Sequence, residues 1–388
     1  MIRLRGDRKG RPPMQLDIHQ ASYRTLNDRL TFLHARMLEM APGIARVSCA
    51  LYDERDDLLK TFLNSTRQGT SLRAYQYRLS DSESLSRLAR TRDLRLLSDL
   101  QESLEPTSQH SQYLLSEGFE SSFTVPMSHG DNFLGFVFFD ARDNDTFTPE
   151  VQRELVLYAN LMAMAIANEL TAVQAIVSTV QIARDFTAFR DGETGAHLER
   201  MARYTHLILH DVAEDLDLSD EFIEQVFLYA PLHDVGKVAI PDHILLKPGR
   251  LTPEEWEIMK THTTRGRQMV EEITAKLGVQ GTVDNSVLLN VVGSHHEKLD
   301  GSGYPEGLVG DTIPIEAQIV AVADIFDALT CARPYKRAWP IDEAMVELRR
   351  QVDDGKLADR FVTAMENNLT EVARIHASFV DPPLSGTG

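Results

Sequence analysis

Apolar positions along the first 190 residues follow two periods in turn. Residues 18–40 carry them at mixed helical spacing, and Pro42-Gly43 ends that run. IARVSCALYD (44–53) and LLKTFLNST (58–66) read as strands separated by the polar turn Glu54–Asp57. SESLSRLARTRDLRLLSDL (82–100) is helix-like and ends near another strand. SSFTVPM, the turn SHGDN and FLGFVFFDA then read as a β-hairpin. Thr148-Pro149-Glu150 supplies an N-cap and a proline for the first turn of a helix. These elements predict an α+β domain with a helix first, antiparallel strands in the middle and a long helix last.

That last helix is expected from about Pro149 to about Phe189, since no proline or glycine interrupts residues 150–191. Met162, Ile166, Leu170, Val173, Val177 and Val180 approximate a heptad seam. Two readings follow: a helix packed on its own domain, or a signalling helix that pairs with its copy in a homodimer. Residues 181–388 show helical rather than alternating patterning. Glycine and proline concentrate at Pro241–Pro253 and Gly293–Pro314, loops of the kind that carry chemistry. The expected organisation is a disordered tail over 1–17, a sensor-like domain over 18–165, a connecting helix over 150–190, a helical domain over 185–375 and a frayed tail over 376–388.

A length of 388 residues fits two domains, or three. The charge is uneven: residues 1–180 hold 20 Lys and Arg against 23 Asp and Glu, a net of −3, while residues 181–388 hold 20 against 35, a net of −15. An acidic C-terminal half repels extended nucleic acid, which binds dense basic surfaces. A small phosphorylated ligand is not excluded, and cations can neutralise part of the excess. Only Cys49 and Cys331 occur, one in each half, so a reducing compartment, the cytoplasm, is expected. No run of about 18 apolar residues is evident, so no membrane span is expected. The basic N-terminus MIRLRGDRKGRPP lacks the apolar stretch of a signal peptide.

The candidate chemistry lies in the second half. Glu193 and His197 are four apart and share a helix face. His233-Asp234 follows an apolar helix and precedes Val235-Gly236-Lys237. His262 sits in MKTHTTRG, and His295-His296 stand together in HHEKLDGSGYP. Asp324 lies in the strongly apolar AQIVAVADIFDALT, and a buried carboxylate needs a partner or a metal. Singly, each histidine is more simply a core or surface residue. Jointly, these imidazoles and carboxylates exceed what one ion can use, and no nearby cysteine suggests a thiolate zinc site. A polynuclear centre with ions roughly 3.5–4 Å apart accounts for them together.

RDGETGAHLER, LHDVGKVAIPDHILLKPGRLTPEEWEIMKTH, HHEKLDGSGYPEGLVGDTIP, ADIFDALT and RPYK, in this order over about 191–336, resemble the HD-GYP family, a branch of the HD phosphohydrolases. The resemblance implies an all-helical scaffold that hydrolyses cyclic di-GMP. It implies metal ligation by His197, His233, Asp234, His262, His295, His296 and Asp324, with Asp234 bridging two ions. Glu193 matches the position that supports a third metal in some members, its alternative being a helix-surface acid. Lys237 would neutralise a phosphate oxygen in the transition state. Arg333 and Lys336 match residues that hold the ligand's phosphates, although RPYK also reads as a helix-ending turn. Gly303 and Tyr304 belong to the signature loop beside the substrate, with Tyr304 read as bracing that loop.

The resemblance thus implies two or three divalent ions, iron with manganese as the alternative. A metal-activated hydroxide would attack phosphorus in line to give pGpG, with onward cleavage to GMP left open. A non-enzymatic cyclic di-GMP receptor and a phosphohydrolase of another cyclic dinucleotide are the competing readings. Signalling partners are left open. Gln318 departs from the family by standing where arginine is common, and KLGVQGTVDNS (276–286) reads as an insertion. The hairpin, FTPE and the long helix resemble, more weakly, a GAF sensor domain, whose ligand is unknown. Cys49 leaves a covalent bilin narrowly open; His34, His110 and His129, haem candidates in principle, read as surface residues. The fold class expected is multidomain: an N-terminal α+β GAF-like domain, a long connecting helix and a C-terminal all-α HD-GYP domain.

Overall fold

The computed structural model describes residues 35, 37, 41–54, 56–66, 76–104, 109–188, 195–277, 285–331 and 337–380. Of the helix expected over 18–40, only Ala35 and Met37 are described, and both are helical. The tail over 1–17 lies outside the described residues.

Six strands follow: β1 (Ile44–Asp53), β2 (Leu58–Thr66), β3 (Gln76–Arg78), β4 (Arg95–Leu97), β5 (Ser121–His129) and β6 (Asn132–Ala141). They form one sheet in the order β3-β2-β1-β6-β5-β4, and every neighbouring pair is antiparallel. Between β3 and β4 runs α1 (Glu83–Thr91), capped by the Ser82 hydroxyl and ended by Arg92 in the left-handed conformation. Helix α2 (Gln109–Ser116) precedes the hairpin. On one sheet face Val47, Phe123, Val125, Val137 and Phe139 alternate inward and pack on Met162 and Ile166. Full burial of each such side chain stabilises by about 1.5–3 kcal/mol.

Met162 and Ile166 belong to α3 (Pro149–Ala188), whose 40 residues join two cores. Its first half packs on the sheet, whereas Val173, Ile176 and Val177 enter the core of the helical domain. The seam expected to face a second copy is therefore largely filled within the chain. The expectation that no segment reaches membrane-spanning apolarity needs a correction. Pro149–Thr179 meets that test by length and composition, with a mean hydropathy of 1.4. Its buried side chains serve the two internal cores.

The second half is helical: α4 (Gly195–Val212), α5 (Asp220–Tyr229), α6 (Pro253–Lys260), α7 (His262–Leu277), α8 (Ser286–Ser294), α9 (Ile315–Thr330), α10 (Ile341–Asp353), α11 (Asp359–Asn367) and α12 (Leu369–Ser378). Among the described residues after α3 the only strand-like pairing is an isolated bridge between Asp300 and Val309. Pro253 at N1 and the reciprocal Thr252–Glu255 capping box explain where α6 begins. The tail expected from residue 376 is corrected for residues 376–380: α12 runs through Ser378, and the Phe379 carbonyl accepts a 2.6 Å hydrogen bond from Arg200. Residues 381–388 lie outside the described residues.

Candidate metal centre

Four helices and one tight turn deliver the candidate ligands to a common point. His197 lies in the first turn of α4, and His233-Asp234 sits between two short 3-10 segments, Ala230–Leu232 and Val235–Ala239. His262 opens α7, His295-His296 follow α8, and Asp324 is in α9. Glycine makes this convergence possible. A Cβ on Gly236 would collide with the His262 carbonyl oxygen and the Gly266 backbone, so only glycine lets the turn touch α7.

The ligand atoms fall into two groups, each within 4.8 Å: Asp234, His262, His295 and His296 in one, His197, His233 and Asp324 in the other. Asp234 faces both. Its Oδ1 lies 3.1 Å from Nε2 of His262 and 3.7 Å from Nε2 of His295. Its Oδ2 lies 3.2 Å from Nε2 of His233 and 2.8 Å from Nζ of Lys237. Asp324 Oδ1 stands 3.9 Å from the same His233 nitrogen. One carboxylate thus lies between two groups of imidazoles.

The tautomers follow from the hydrogen bonds. Nδ1 of His233, His262 and His295 lies 2.8, 2.8 and 2.9 Å from the carbonyl oxygens of Ala230, Met259 and Val291. A carbonyl only accepts, so each Nδ1 donates and each Nε2 keeps a lone pair directed inward. Nε2 of His262 and His295 and Oδ1 of Asp234 are buried and make no hydrogen bond. Leaving such groups unsatisfied is costly, and a coordinated cation would satisfy them together. The donor set of imidazole and carboxylate fits divalent metal ions.

The electrostatics agree. Burial opposes charge on Asp234, but its surroundings, the Lys237 ammonium first, hold the carboxyl well below the usual range. Burial and the neighbouring imidazoles lower His295 and His296, so both are neutral near pH 7 and able to ligate.

Two supporting residues have no place among the sequence-derived candidates. Asp327 Oδ2 accepts from His197 Nδ1 at 2.7 Å, and Asp327 Oδ1 accepts from Arg200 Nε at 2.5 Å. These bonds offset burial and bring its pKa to about 2. Its one signal in the sequence is its place in ADIFDALT, three residues after Asp324 and therefore on the same helix face. Glu297, buried just after the histidine pair, accepts backbone N–H bonds from Glu306, Gly307 and Leu308 at 2.7, 3.2 and 3.0 Å.

Gly303 approaches the Glu297–Lys298 backbone so closely that a Cβ would collide with it. Tyr304 leans on His296, ring centroids 4.8 Å apart, and its N–H donates to the His296 carbonyl. Gln318 is buried and donates to the Ile313 carbonyl at 2.9 Å, while its Oε1 has no partner. Glu193, Arg333, Lys336 and most of the expected insertion, residues 278–284, lie outside the described residues. In the sheet domain, Cys49 is buried at the wall of a cavity of about 350 Å³, and burial pushes its thiol up. His110 lines the same cavity rather than the open surface expected of it, and His34 lies outside the described residues.

Comparison with known proteins agrees with this geometry. Residues 193–359 match the protein-family profile described as an HD domain. The chain is 45% identical over 192 residues to the cyclic di-GMP phosphodiesterase response regulator RpfG of Xanthomonas campestris, covering 49% of this chain and 47% of that protein. It is 40% identical over 203 residues to a cyclic di-GMP phosphodiesterase of Thermotoga maritima, covering 51% and 52%. It is also 42% identical over 162 residues to 3'3'-cGAMP-specific phosphodiesterase 2 of Vibrio cholerae, covering 42% and 29%. The chain spans about half the length, or less, of these curated relatives.

A phycocyanobilin-bound GAF domain from a cyanobacterial phytochrome is similar at 20% identity with a TM-score of 0.31, covering 37% of this chain and 85% of that one. The GAF domain of a Coxiella burnetii phosphotransferase is similar at 17% identity with a TM-score of 0.32, covering 38% and 85%. The HD-domain match thus falls within the helical part of the chain, and the six-stranded antiparallel sheet precedes it.

Proposed function

We propose that this protein is a metal-dependent phosphodiesterase that hydrolyses cyclic di-GMP to pGpG, its activity regulated by the GAF-like domain. The single observation that carries the reading is Asp234, placed between two groups of inward-facing imidazoles and contacted by Lys237. The relatives named as cyclic di-GMP phosphodiesterases support the substrate class.

His197, His233, Asp234, His262, His295, His296 and Asp324 would hold two divalent ions, and Glu193 a third. Iron is the proposed metal, with manganese as the alternative. Such ions, when bound, lower the pKa of a coordinated water and neutralise phosphate charge. The protein's own part is positional. The carbonyl-bound Nδ1 atoms fix the ring planes, and Lys237 brings an ammonium to the place where phosphate charge grows. Arg333 and Lys336 are assigned to the ligand's phosphates, and Gly303 with Tyr304 to the loop beside it.

A local excess of positive charge then sits inside an acidic domain, which reconciles the −15 of the second half with an anionic substrate. A cytoplasmic homodimer completes the proposal. Leu157, Leu161 and Met164 on α3 are 59%, 57% and 58% exposed at helical spacing and offer the pairing face. The similarity to a 3'3'-cGAMP-specific enzyme supports a second reading, a hybrid cyclic dinucleotide as substrate. Parallel turnover of cyclic di-GMP and 3'3'-cGAMP by anaerobically purified protein tests both. Faster cleavage of cyclic di-GMP is expected, and a reversed preference selects the second reading.

A further inference from the structure

A second convergence of imidazoles lies where the two domains meet. His206 and His210 are one turn apart on α4, and their Nε2 atoms approach to 3.0 Å. Gln76 reaches them from β3 of the sheet domain, its Nε2 3.1 Å from His210 Nε2 and 3.4 Å from His206 Nε2. Glu224 of α5 turns Oε1 toward His206 Nε2 at 3.9 Å and Oε2 toward Lys60 at 3.8 Å.

With the amide nitrogen facing the rings, protons satisfy only part of this triangle. A neutral imidazole has either one N–H or one lone pair at Nε2. If one histidine donates to the other, the donor has no lone pair left for the amide, and the acceptor's is already used. If both nitrogens are bare to accept the amide's two hydrogens, two lone pairs face each other at 3.0 Å. Turning the amide by 180°, which exchanges its nitrogen and oxygen, puts a third electron-pair donor at the same corner. Three donors around one point suit a cation. Tetrahedral Zn²⁺ with bonds of about 2.1 Å sets its ligand atoms about 3.4 Å apart, close to the observed edges.

We propose that His206, His210 and Gln76 form a second binding site for a zinc-like transition-metal ion that clips the sheet domain to α4, with Glu224 beside it, its Oε1 3.9 Å from His206 Nε2. Imidazole and amide oxygen favour a borderline ion such as Zn²⁺ over Mg²⁺ or Ca²⁺. A cavity of about 870 Å³ between the domains, lined by Gln76, His206 and His210, gives the ion its entry. The clip has a mechanical consequence. His197 of the candidate metal centre lies nine residues earlier on α4, about 14 Å along the axis. An ion that joins Gln76 to His206 and His210 thus ties the sensor sheet to the helix that carries His197.

This inference does not depend on hydrolase activity, and the experiment reads metal rather than turnover. The full-length chain is dialysed to equilibrium against micromolar Zn²⁺ and its zinc content measured for the wild type, His206→Ala/His210→Ala and Gln76→Ala. Loss of one equivalent from the double variant, with the remaining zinc retained, is expected. If the double variant loses all its metal through misfolding, Gln76→Ala decides, because Gln76 lies on a three-residue edge strand outside the helical core. Zinc binding at one site weakened by roughly tenfold or more in Gln76→Ala is expected. Equal zinc content and affinity in all three proteins overturns the proposal and leaves a hydrogen-bonded interface cluster.

Discussion

The carboxylate of Asp327 holds the imidazole of His197 through a 2.7 Å hydrogen bond at Nδ1, across two helices and 130 residues of chain. The same carboxylate pairs with buried Arg200, so one residue fixes a candidate ligand and neutralises a buried guanidinium. Asp327→Asn keeps the shape but loses the charge that anchors His197. Metal affinity is expected to fall by roughly 10–100-fold, read as metal retained after dialysis. Asp327→Ala also breaks the buried ion pair with Arg200 and is expected to cost about 3–5 kcal/mol in urea unfolding.

Glu297 predicts a different pattern. Its carboxylate gathers three successive backbone N–H groups and so pins the loop that carries Gly303 and Tyr304. Glu297→Gln retains acceptor capacity on one oxygen only. Faster hydrogen exchange at the amides of Glu306, Gly307 and Leu308 is expected, with a loss of about 1–3 kcal/mol in stability. Unchanged exchange would refute the anchoring role.

Gly236→Ala tests the close approach that brings His233-Asp234 to His262. The added methyl meets backbone on α7, which cannot swing aside as a side chain can. Loss of bound metal is expected together with a lowered melting temperature. Gly249→Ala, where a Cβ meets nothing within 4 Å, serves as the contrast. Its left-handed φ of 137° makes it a strained substitution too, so retained metal in that variant isolates the effect of the collision.

These residues also mark what is legible in the sequence. His233-Asp234, His262, His295-His296 and Asp324 are recognisable because so many potential ligands in a fixed order seldom arise by chance. The hairpin and α3 are legible from alternation, turn residues and the Thr148-Pro149 start. The partners of α3 are not. Met162 and Ile166 meet the sheet while Val173 and Val177 meet the helical core, and a seam spaced at 3–4 residues looks the same whether it faces its own chain or a second copy. Asp327 and Glu297 are hidden for a related reason: an acidic residue near a motif reveals its role only when a distant His197, or the amides of a folded-back loop, arrive beside it. The Gln76–His206–His210 meeting joins residues more than 120 positions apart, and no local pattern announces it.

Removing metal should expose the cost of the orphaned donors. Chelation leaves Asp234 Oδ1 and Nε2 of His262 and His295 buried with no partner. A fall in melting temperature on chelation, reversed by Mn²⁺ or Fe²⁺, is expected from mass action on the folded state. An unchanged melting temperature with confirmed metal loss would contradict the ligand assignment.

The exposed face of α3 gives the prediction for assembly. Leu161→Glu places a charge in the middle of the Leu157–Leu161–Met164 face and is expected to shift the protein from dimer to monomer in sedimentation experiments. Met162, buried against the sheet, is the contrast: Met162→Ala is expected to lower stability by about 2–5 kcal/mol and leave the assembly unchanged.

The most direct measurement is cyclic di-GMP cleavage by anaerobically purified protein of measured metal content, beside Asp234→Ala at the same protein concentration. Release of pGpG by the metal-loaded wild type is expected, with turnover abolished in the variant. Tight binding of cyclic di-GMP without any cleavage, at confirmed metal occupancy, would contradict the enzyme reading and leave a receptor.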